Sequence, residues 1–404
     1  MAVDPHQLTA HLAYGDILAR VDLDSYRRIP WEKETAFFLV DFWSPTTKTP
    51  LPICPRNLLK RIVGEFHALG LEPMCGAEFE FFQFDETPAS LREKHFQQLT
   101  PLTPGMFGYS LLRPTLKQDY YYDLINQCRA FDVPLEAIHT ETGPGVYEVA
   151  LAYAPALAMA DRAQLFKTSA KQIGLLHGVM PSFMAKPYND LPGCSGHLHF
   201  SLRDRTDSTN AFADTKAQPS SGDASTAGMS QTMQHFLAGM LKGLPSILAI
   251  LAPTVNSYKR LVGSYWAPCA VNWGRENRLA AVRAITTPTC SAASTRLEMR
   301  VPGADINAHL AIAACLACGL YGIREKLELP PPASEDGSAT SGAIDSLARN
   351  LYEATEVMAA PDSMARKVLG DAFVEHYVAT RRHEWTKWAG AVTDWELRRY
   401  LELV

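Results

Sequence analysis

The stretch Met74-Cys75-Gly76-Ala77-Glu78-Phe79-Glu80-Phe81-Phe82-Gln83-Phe84 places two carboxylates on alternate residues among aromatics. An aromatic-rich run of this kind predicts a strand, and a strand has period two, so Glu78 and Glu80 point to the same side. Two like charges side by side repel unless a cation lies between them. A divalent metal is the simplest such cation, and oxygen ligands with a few waters suit Mg²⁺ or Mn²⁺ better than Zn²⁺. A solvent-facing pair on an edge strand is the alternative, and the rest of the chain has to decide.

The chain has 404 residues, 47% of them hydrophobic. That is enough for a large core and for either two domains or one large domain with an appendage. The formal net charge is −5, and no Lys/Arg cluster is interleaved with aromatics, so nucleic acid is not an expected partner. Eight cysteines are scattered without a disulfide framework. Only Cys315 and Cys318 stand at i, i+3, in a small-residue apolar run from Ala308 to Leu320 that reads as a buried helix. Met1–His6 lacks a charged-then-apolar leader pattern, and the apolar run from Phe236 to Pro253 is broken by Lys242 and Pro245. The expectation is a cytoplasmic protein with reduced thiols and no membrane span.

Residues 16–24 and 35–43 predict two strands joined by a turn around Pro30, followed by a proline-rich stretch from Pro45 to Pro55. Helices are predicted over 57–69, capped by Gly70, over 120–131 and over 161–177. In His139-Thr140-Glu141-Thr142-Gly143-Pro144-Gly145-Val146-Tyr147-Glu148 a glycine-rich turn separates two glutamates, and a turn between short strands can bring both to one site. Gly193-Cys194-Ser195-Gly196-His197-Leu198-His199 opens a strand with both histidines on one face, candidates for a metal ligand and a phosphate contact. Residues 203–230 and 330–342 are polar and read as surface loops. Arg296-Leu297-Glu298-Met299-Arg300 is again strand-like, with the three charges on one face.

Glu78, Glu80, Glu141, Glu148, Glu298 and His197 amount to one ligand set for two divalent cations. Around them stand Arg260, Arg278, Arg283, Arg296 and Arg300. Guanidinium groups and metals in this number make sense where several anionic groups are held together, as in phosphoryl transfer from ATP to a carboxylate.

These stretches, together with Asn256-Ser257-Tyr258-Lys259-Arg260-Leu261 and Asn277-Arg278, occur in an order that resembles the glutamine synthetase family. The resemblance implies an α+β fold: a catalytic domain over 51–404, a curved antiparallel sheet with outer helices, preceded by a partial β-grasp-like domain over 1–50. It implies that Glu80, Glu141 and Glu148 bind the metal nearer the amino-acid substrate, and that Glu78, His197 and Glu298 bind the one bridging the ATP phosphates. His199, Arg278, Arg283 and Arg296 would face the phosphates, while Arg260, Arg300 and the backbone at Gly193 would hold substrate carboxylates. ATP, Mg²⁺ or Mn²⁺, glutamate and an amine are the implied cofactors and substrates, and a homo-oligomer is the implied assembly.

Three departures alter the expectation. Ammonia-using members of the family carry a glutamate in the flap where this chain has Trp266, after Gly263-Ser264-Tyr265. An indole cannot take a proton from an ammonium ion, but it offers an apolar face to a larger amine. Pro192 and Val146 replace an asparagine and a glutamine usual in the family, which bears on the choice of acid. The first strands of the family's N-terminal domain are not matched. The reading is an ATP-dependent ligase joining glutamate, or a similar acid, to an organic amine. Its rivals are ordinary glutamine synthesis and a non-catalytic structural or regulatory member.

Overall fold

In the computed structural model, which describes residues 15–214, 224–263, 266–334 and 346–404, the described chain begins with four short strands. These are β1 (Leu18–Val21), β2 (Arg27–Arg28), β3 (Ala36–Phe37) and β4 (Val40–Trp43), paired antiparallel as β1 with β4 and β2 with β3. The first predicted strand, 16–24, is thus cut short at Val21 by a 3-10 turn at Leu23–Ser25 that Asp22 caps, and the second, 35–43, is split into β3 and β4. Met1–His6 lies outside the described residues.

Helix α1 (Pro55–His67) starts two residues earlier than its apolar spacing predicts, because Pro55 supplies a preset first-turn φ. Gly70, at φ 74, ends the turn that leads into β5 (Leu71–Phe84). Then come α2 (Pro88–Glu93), α3 (Gln118–Ala130), β6 (Leu135–Thr140), β7 (Val146–Pro155), α4 (Ala156–Leu176), β8 (Met180–Ser182) and β9 (Leu198–Asp204). They are followed by α5 (Gln231–Leu251), β10 (Trp273–Arg275), β11 (Val282–Ile285), β12 (Arg296–Met299) and α6 (Ala308–Glu325). The helices α7 (Leu351–Ala359), α8 (Met364–Leu369), α9 (Asp371–Ala389) and α10 (Asp394–Tyr400) complete the chain.

One sheet runs β10-β11-β12-β9-β5-β7-β6, with β8 also on β5, and every pairing but β10 with β11 is antiparallel. The fold is α+β. Along β5 the even residues Glu78 and Glu80 face a cavity, while Phe79 and Phe81 are fully buried on the other side. Phe81 stacks on Phe183 at 5.1 Å, and both β5 rings meet Phe166 of α4. Each such ring contributes about 1.5–3 kcal/mol of burial, which anchors the strand's orientation.

Behind the sheet α5 and α6 approach closely; a Cβ on Gly239 would lie 2.8 Å from Gly322 Cα. Cys315 and Cys318 are buried in this interface, and burial alone pushes the Cys318 thiol up to about 12. Helix α5 continues through Lys242 and Pro245, which the sequence pattern reads as breaks; it is long and apolar enough to cross a membrane but lies buried in the core. The segment 203–230 also differs from a plain surface loop. Phe212 and Met229 at its ends are buried, and the Asn210 amide donates to Ala292 O, Ala293 O and Thr295 O. Residues 330–334 run along β10, with Ala333 N donating to Trp273 O at 2.8 Å. Residues 215–223 and 335–342 of the two predicted loops lie outside the described residues.

The small strands are tied to the large domain by a buried ion network. Arg56 grips Asp161 of α4 with Nε and Nη2 (2.9 and 3.0 Å) and reaches Asp22 (2.6 Å) and Asp41 (3.0 Å) with Nη1. Lys60 joins both N-terminal carboxylates, and His309 of α6 lies 2.8 Å from Asp161. Burial works against the Asp22 charge, but Arg56 and Lys60 outweigh it and hold the carboxyl at about 2. Removing one partner of a buried network leaves the others uncompensated. Arg56→Met should therefore cost roughly 3–5 kcal/mol in urea unfolding at pH 7. A carboxylate with a depressed pKa stabilises the fold above its unfolded value, so the deficit should narrow as pH falls from 3.8 toward 2.

Candidate active site

The cavity of about 630 Å³ on the exposed face of the sheet is built by register. Glu80 of β5 lies opposite Glu148 of β7, which in turn lies opposite His139 of β6. On the other flank Glu298 of β12 pairs with His199 of β9 and with Arg283 of β11. His197 precedes β9 but continues the ladder, its carbonyl accepting from Glu78 N at 2.9 Å. Glu141 is brought back over the sheet by the turn at Gly143 and Gly145, both at positive φ; a Cβ at Gly145 would sit 2.6 Å from Gln83 O.

Every candidate from the sequence lines this one cavity: Glu78, Glu80, Glu141, Glu148, His197, Glu298, His199, Gly193, Trp266, Arg260, Arg278, Arg283, Arg296 and Arg300. One triad is Glu78, His199 and Glu298, whose ligand atoms lie within 4.8 Å of one another. His197 Nδ1 stands beside it, 3.3 Å from Glu298 Oε1 and 3.8 Å from Glu78 Oε2. A second triad joins Glu141 and Glu148 to His139. Glu80 adjoins Glu148, with one oxygen already accepting from Ser195 N at 2.8 Å.

The electrostatics ask for cations. Burial first, then repulsion from Glu80, Glu78 and Glu141, pushes Glu148 up to about 9. Burial opposes the charge on Glu78 as well, but His197 and His199 outweigh it and hold the carboxyl well below its ordinary value. Glu298 is likewise held low by His197, Arg300 and His199 against the pull of burial. Glu141 Oε2 and His199 Nε2 are buried with no hydrogen-bond partner, the latter 3.0 Å from Glu78 Oε1 but out of line. An unsatisfied carboxylate oxygen on Glu141 and a forced proton on Glu148, in an oxygen- and imidazole-rich cavity, fit divalent cations of the Mg²⁺ or Mn²⁺ type.

The arginines are held in fixed poses. Arg283 donates to Glu298 (3.2 Å) and Glu276 (2.8 Å), Arg300 to Glu298 and to Arg278 O, and Arg296 to His199 Nδ1 (3.3 Å). Arg260 is buried and donates to Val301 O at 2.8 Å, its stem packed against Gly193, where a Cβ would lie 2.9 Å from Arg260 Cγ. A second cavity of about 420 Å³ shares Glu78, His199 and Arg296 and is walled by Phe200, Leu151 and Tyr153. Trp266 stands at the rim, largely exposed and at φ 54; Ser264 and Tyr265 lie outside the described residues.

The sequence reading misses His139 and Tyr109. Tyr109 stacks on the His139 ring at 4.9 Å, and both line the cavity. A period-two reading back from Glu141 would have found His139. No spacing announces Tyr109, which lies in an irregular segment at φ 57.

Known proteins are similar to this chain over most of its length. The family described as glutamine synthetase, catalytic domain, matches residues 52–400. The chain is 44% identical over 397 residues to type-1 glutamine synthetase 2 of Dictyostelium discoideum, covering 98% of this chain and 73% of that protein. It is 36% identical to gamma-glutamylethanolamide synthetase GlnA4 of Streptomyces coelicolor, covering 96% and 80%. It is 35% identical to a glutamate–isopropylamine ligase of a Pseudomonas species, covering 97% and 82%. Among solved structures, ligand-free GmaS superposes with a TM-score of 0.83 at 28% identity, over 98% of this chain and 87% of that one.

A carboxyl whose pKa is higher folded than unfolded stabilises the fold below its unfolded value and progressively less as pH rises through the folded one. With chelator present, the protein should lose stability between about pH 4.5 and 9 on account of Glu148. Glu148→Gln should raise the chelated protein's melting temperature at pH 8 by roughly a few degrees, with no gain at pH 4. Mn²⁺ added at pH 8 should stabilise the wild type more than the variant, as thermal scans across pH would show.

Proposed function

The chain belongs to the glutamine synthetase family of ATP-dependent ligases that form carbon–nitrogen bonds, and from that premise we propose that it joins glutamate, or a similar acid, to an organic amine rather than to ammonia. The observation that carries this reading is Trp266 at the rim of the acid-lined cavity, in the flap position where ammonia-using members have a glutamate.

In this reading Glu78, His197 and Glu298 hold one divalent cation, with His199 close by, and Glu80, Glu141 and Glu148 hold another. Bound there, Mg²⁺ or Mn²⁺ supplies neutralisation of the phosphate and carboxylate oxygens. The second cavity receives the base of ATP, with His199 and Arg296 at its junction with the site aimed at the phosphates. Arg283 and Arg278 face the transferred group, and Arg260 with Arg300 the acid's carboxylates. An oxygen of the side-chain carboxylate attacks the terminal phosphorus of ATP and ADP leaves. The amine nitrogen then attacks the acyl phosphate carbon, phosphate leaves, and the nitrogen gives up a proton. The protein's part is positioning and charge compensation.

The acceptor amine enters past Trp266, Tyr109 and His139, three rings that offer apolar and cation–π surface to an alkylammonium group. Similarity to the gamma-glutamylethanolamide synthetase and the glutamate–isopropylamine ligase supports an organic acceptor. Similarity to the Dictyostelium glutamine synthetase favours ammonia as the second reading.

The test is ADP release with ATP, Mg²⁺ and glutamate against a panel of ammonium, ethanolamine, isopropylamine and aromatic amines. The best organic amine should exceed ammonium in kcat/KM by about tenfold or more. Trp266→Glu should move that ratio toward ammonium by about tenfold. Ammonium equal to the best amine would instead support glutamine synthesis.

A further inference from the structure

Arg260 enters the cavity from a turn whose own fastening lies outside it. Thr254 N donates to Ser257 Oγ at 3.0 Å, and Ser257 N to Thr254 Oγ1 at 3.1 Å, a reciprocal box. It opens the single 3-10 turn Ser257–Lys259, and Arg260 is the next residue. Each hydroxyl keeps a proton to place. Asp305 Oδ2 accepts both, from Thr254 at 3.0 Å and from Ser257 at 2.6 Å.

The surrounding chain is fastened to the same point. The Asn256 side chain accepts from Lys186 N (2.8 Å) and donates to Lys186 O (2.9 Å), tying the turn to the segment that leads to Gly193. Ala304 N donates to Cys194 O, so the backbone beside Asp305 is laced to the residue after Gly193. Arg260 closes the ring by donating to Val301 O and Arg300 O, a few residues before Asp305. Lys167 Nζ donates to Ile306 O at 2.6 Å and fixes the chain just beyond it. Asp305 itself does not line the active cavity; it borders a separate one of about 730 Å³ behind the turn. Its Oδ1 is buried without a hydrogen-bond partner, and its charge acts on Lys167 and, after that of Glu80, on Arg260.

We propose that Asp305 is the positioning residue for the acid-binding arm of the site, holding the Thr254–Ser257 turn so that Arg260 is aimed at the substrate carboxylate. This rests on Arg260 being the carboxylate arm. A carboxylate suits the task because it accepts two hydroxyl protons on one oxygen.

The test compares Asp305→Asn and Ser257→Ala with wild type in ADP-release kinetics, with nucleotide affinity measured separately by calorimetry with ADP and Mg²⁺. Asp305→Asn should raise KM for the acid by about tenfold or more, the loss of a charge-assisted hydrogen bond. Saturating kcat should stay within about threefold and ADP affinity within about twofold, since the phosphate-facing arginines are mounted elsewhere. Ser257→Ala, which removes one of the two bonds, should raise acid KM by a smaller factor in the same direction. If both variants fold and bind ADP but keep the wild-type acid KM, Asp305 has no positioning role. If acid KM and ADP affinity worsen together, the residue supports the fold generally and the proposal fails. Wild type with no acid-dependent ADP release would overturn the functional reading itself.

Discussion

Five carboxylates face one cavity on one side of a sheet, and their mutual repulsion is the constraint the rest of the structure answers. Glu78 and Glu80 stand two residues apart, Glu148 lies across from Glu80, Glu298 pairs across with His199, and Glu141 is folded over from a turn. With nothing between them, one proton stays on Glu148 well past neutrality. An isolated sheet would relieve this by twisting or slipping. A one-residue slip of β5 is blocked because it would send Phe79 and Phe81 into the cavity and the glutamates into the aromatic core. Burial on one face thus holds charge together on the other.

The arginines complete the arrangement by sharing those same carboxylates. Glu298 accepts from Arg283 and Arg300 while lying close to His197, so it orients two guanidinium groups and belongs to a candidate metal-binding triad. The cavity thereby combines acid-rich and base-rich walls. Such a surface suits a reaction in which anions must approach one another.

Much of this was legible from alternation alone, because β5, β9 and β12 each present chemically different faces. Glu78 and Glu80, and Arg296, Glu298 and Arg300, declare their face within one short run. What was not legible depends on contacts distant in sequence. Arg56 finds its partners 15, 34 and 105 positions away, and no local pattern contains such distances. His139 meets Glu148 only after a register shift between Leu135 and Ala137, so the fit is a property of the paired strands. Helix α5 ignores the break expected at Pro245 because its surroundings bury it on nearly every side. Tertiary packing overrides the local signal there.

The two halves of the site are built from different material. Glu78, Glu80, Glu148, Arg283, Arg296 and Glu298 stand on strands of the large sheet and are held by ladder register, while Glu141 and Arg260 reach the same cavity from turns. In the proposed reading the amine side is made of Tyr109 and Trp266, both on irregular backbone at positive φ. A bulky residue in that region costs about 1–3 kcal/mol, and the surrounding loop has to impose it. In the proposed reading, an exchange of acid for indole at Trp266 changes what the incoming amine meets while the strands that carry Glu78, Glu80, Glu148 and Glu298 keep their register. A family built this way can vary its acceptor on loops and retain the activation of the acid on strands.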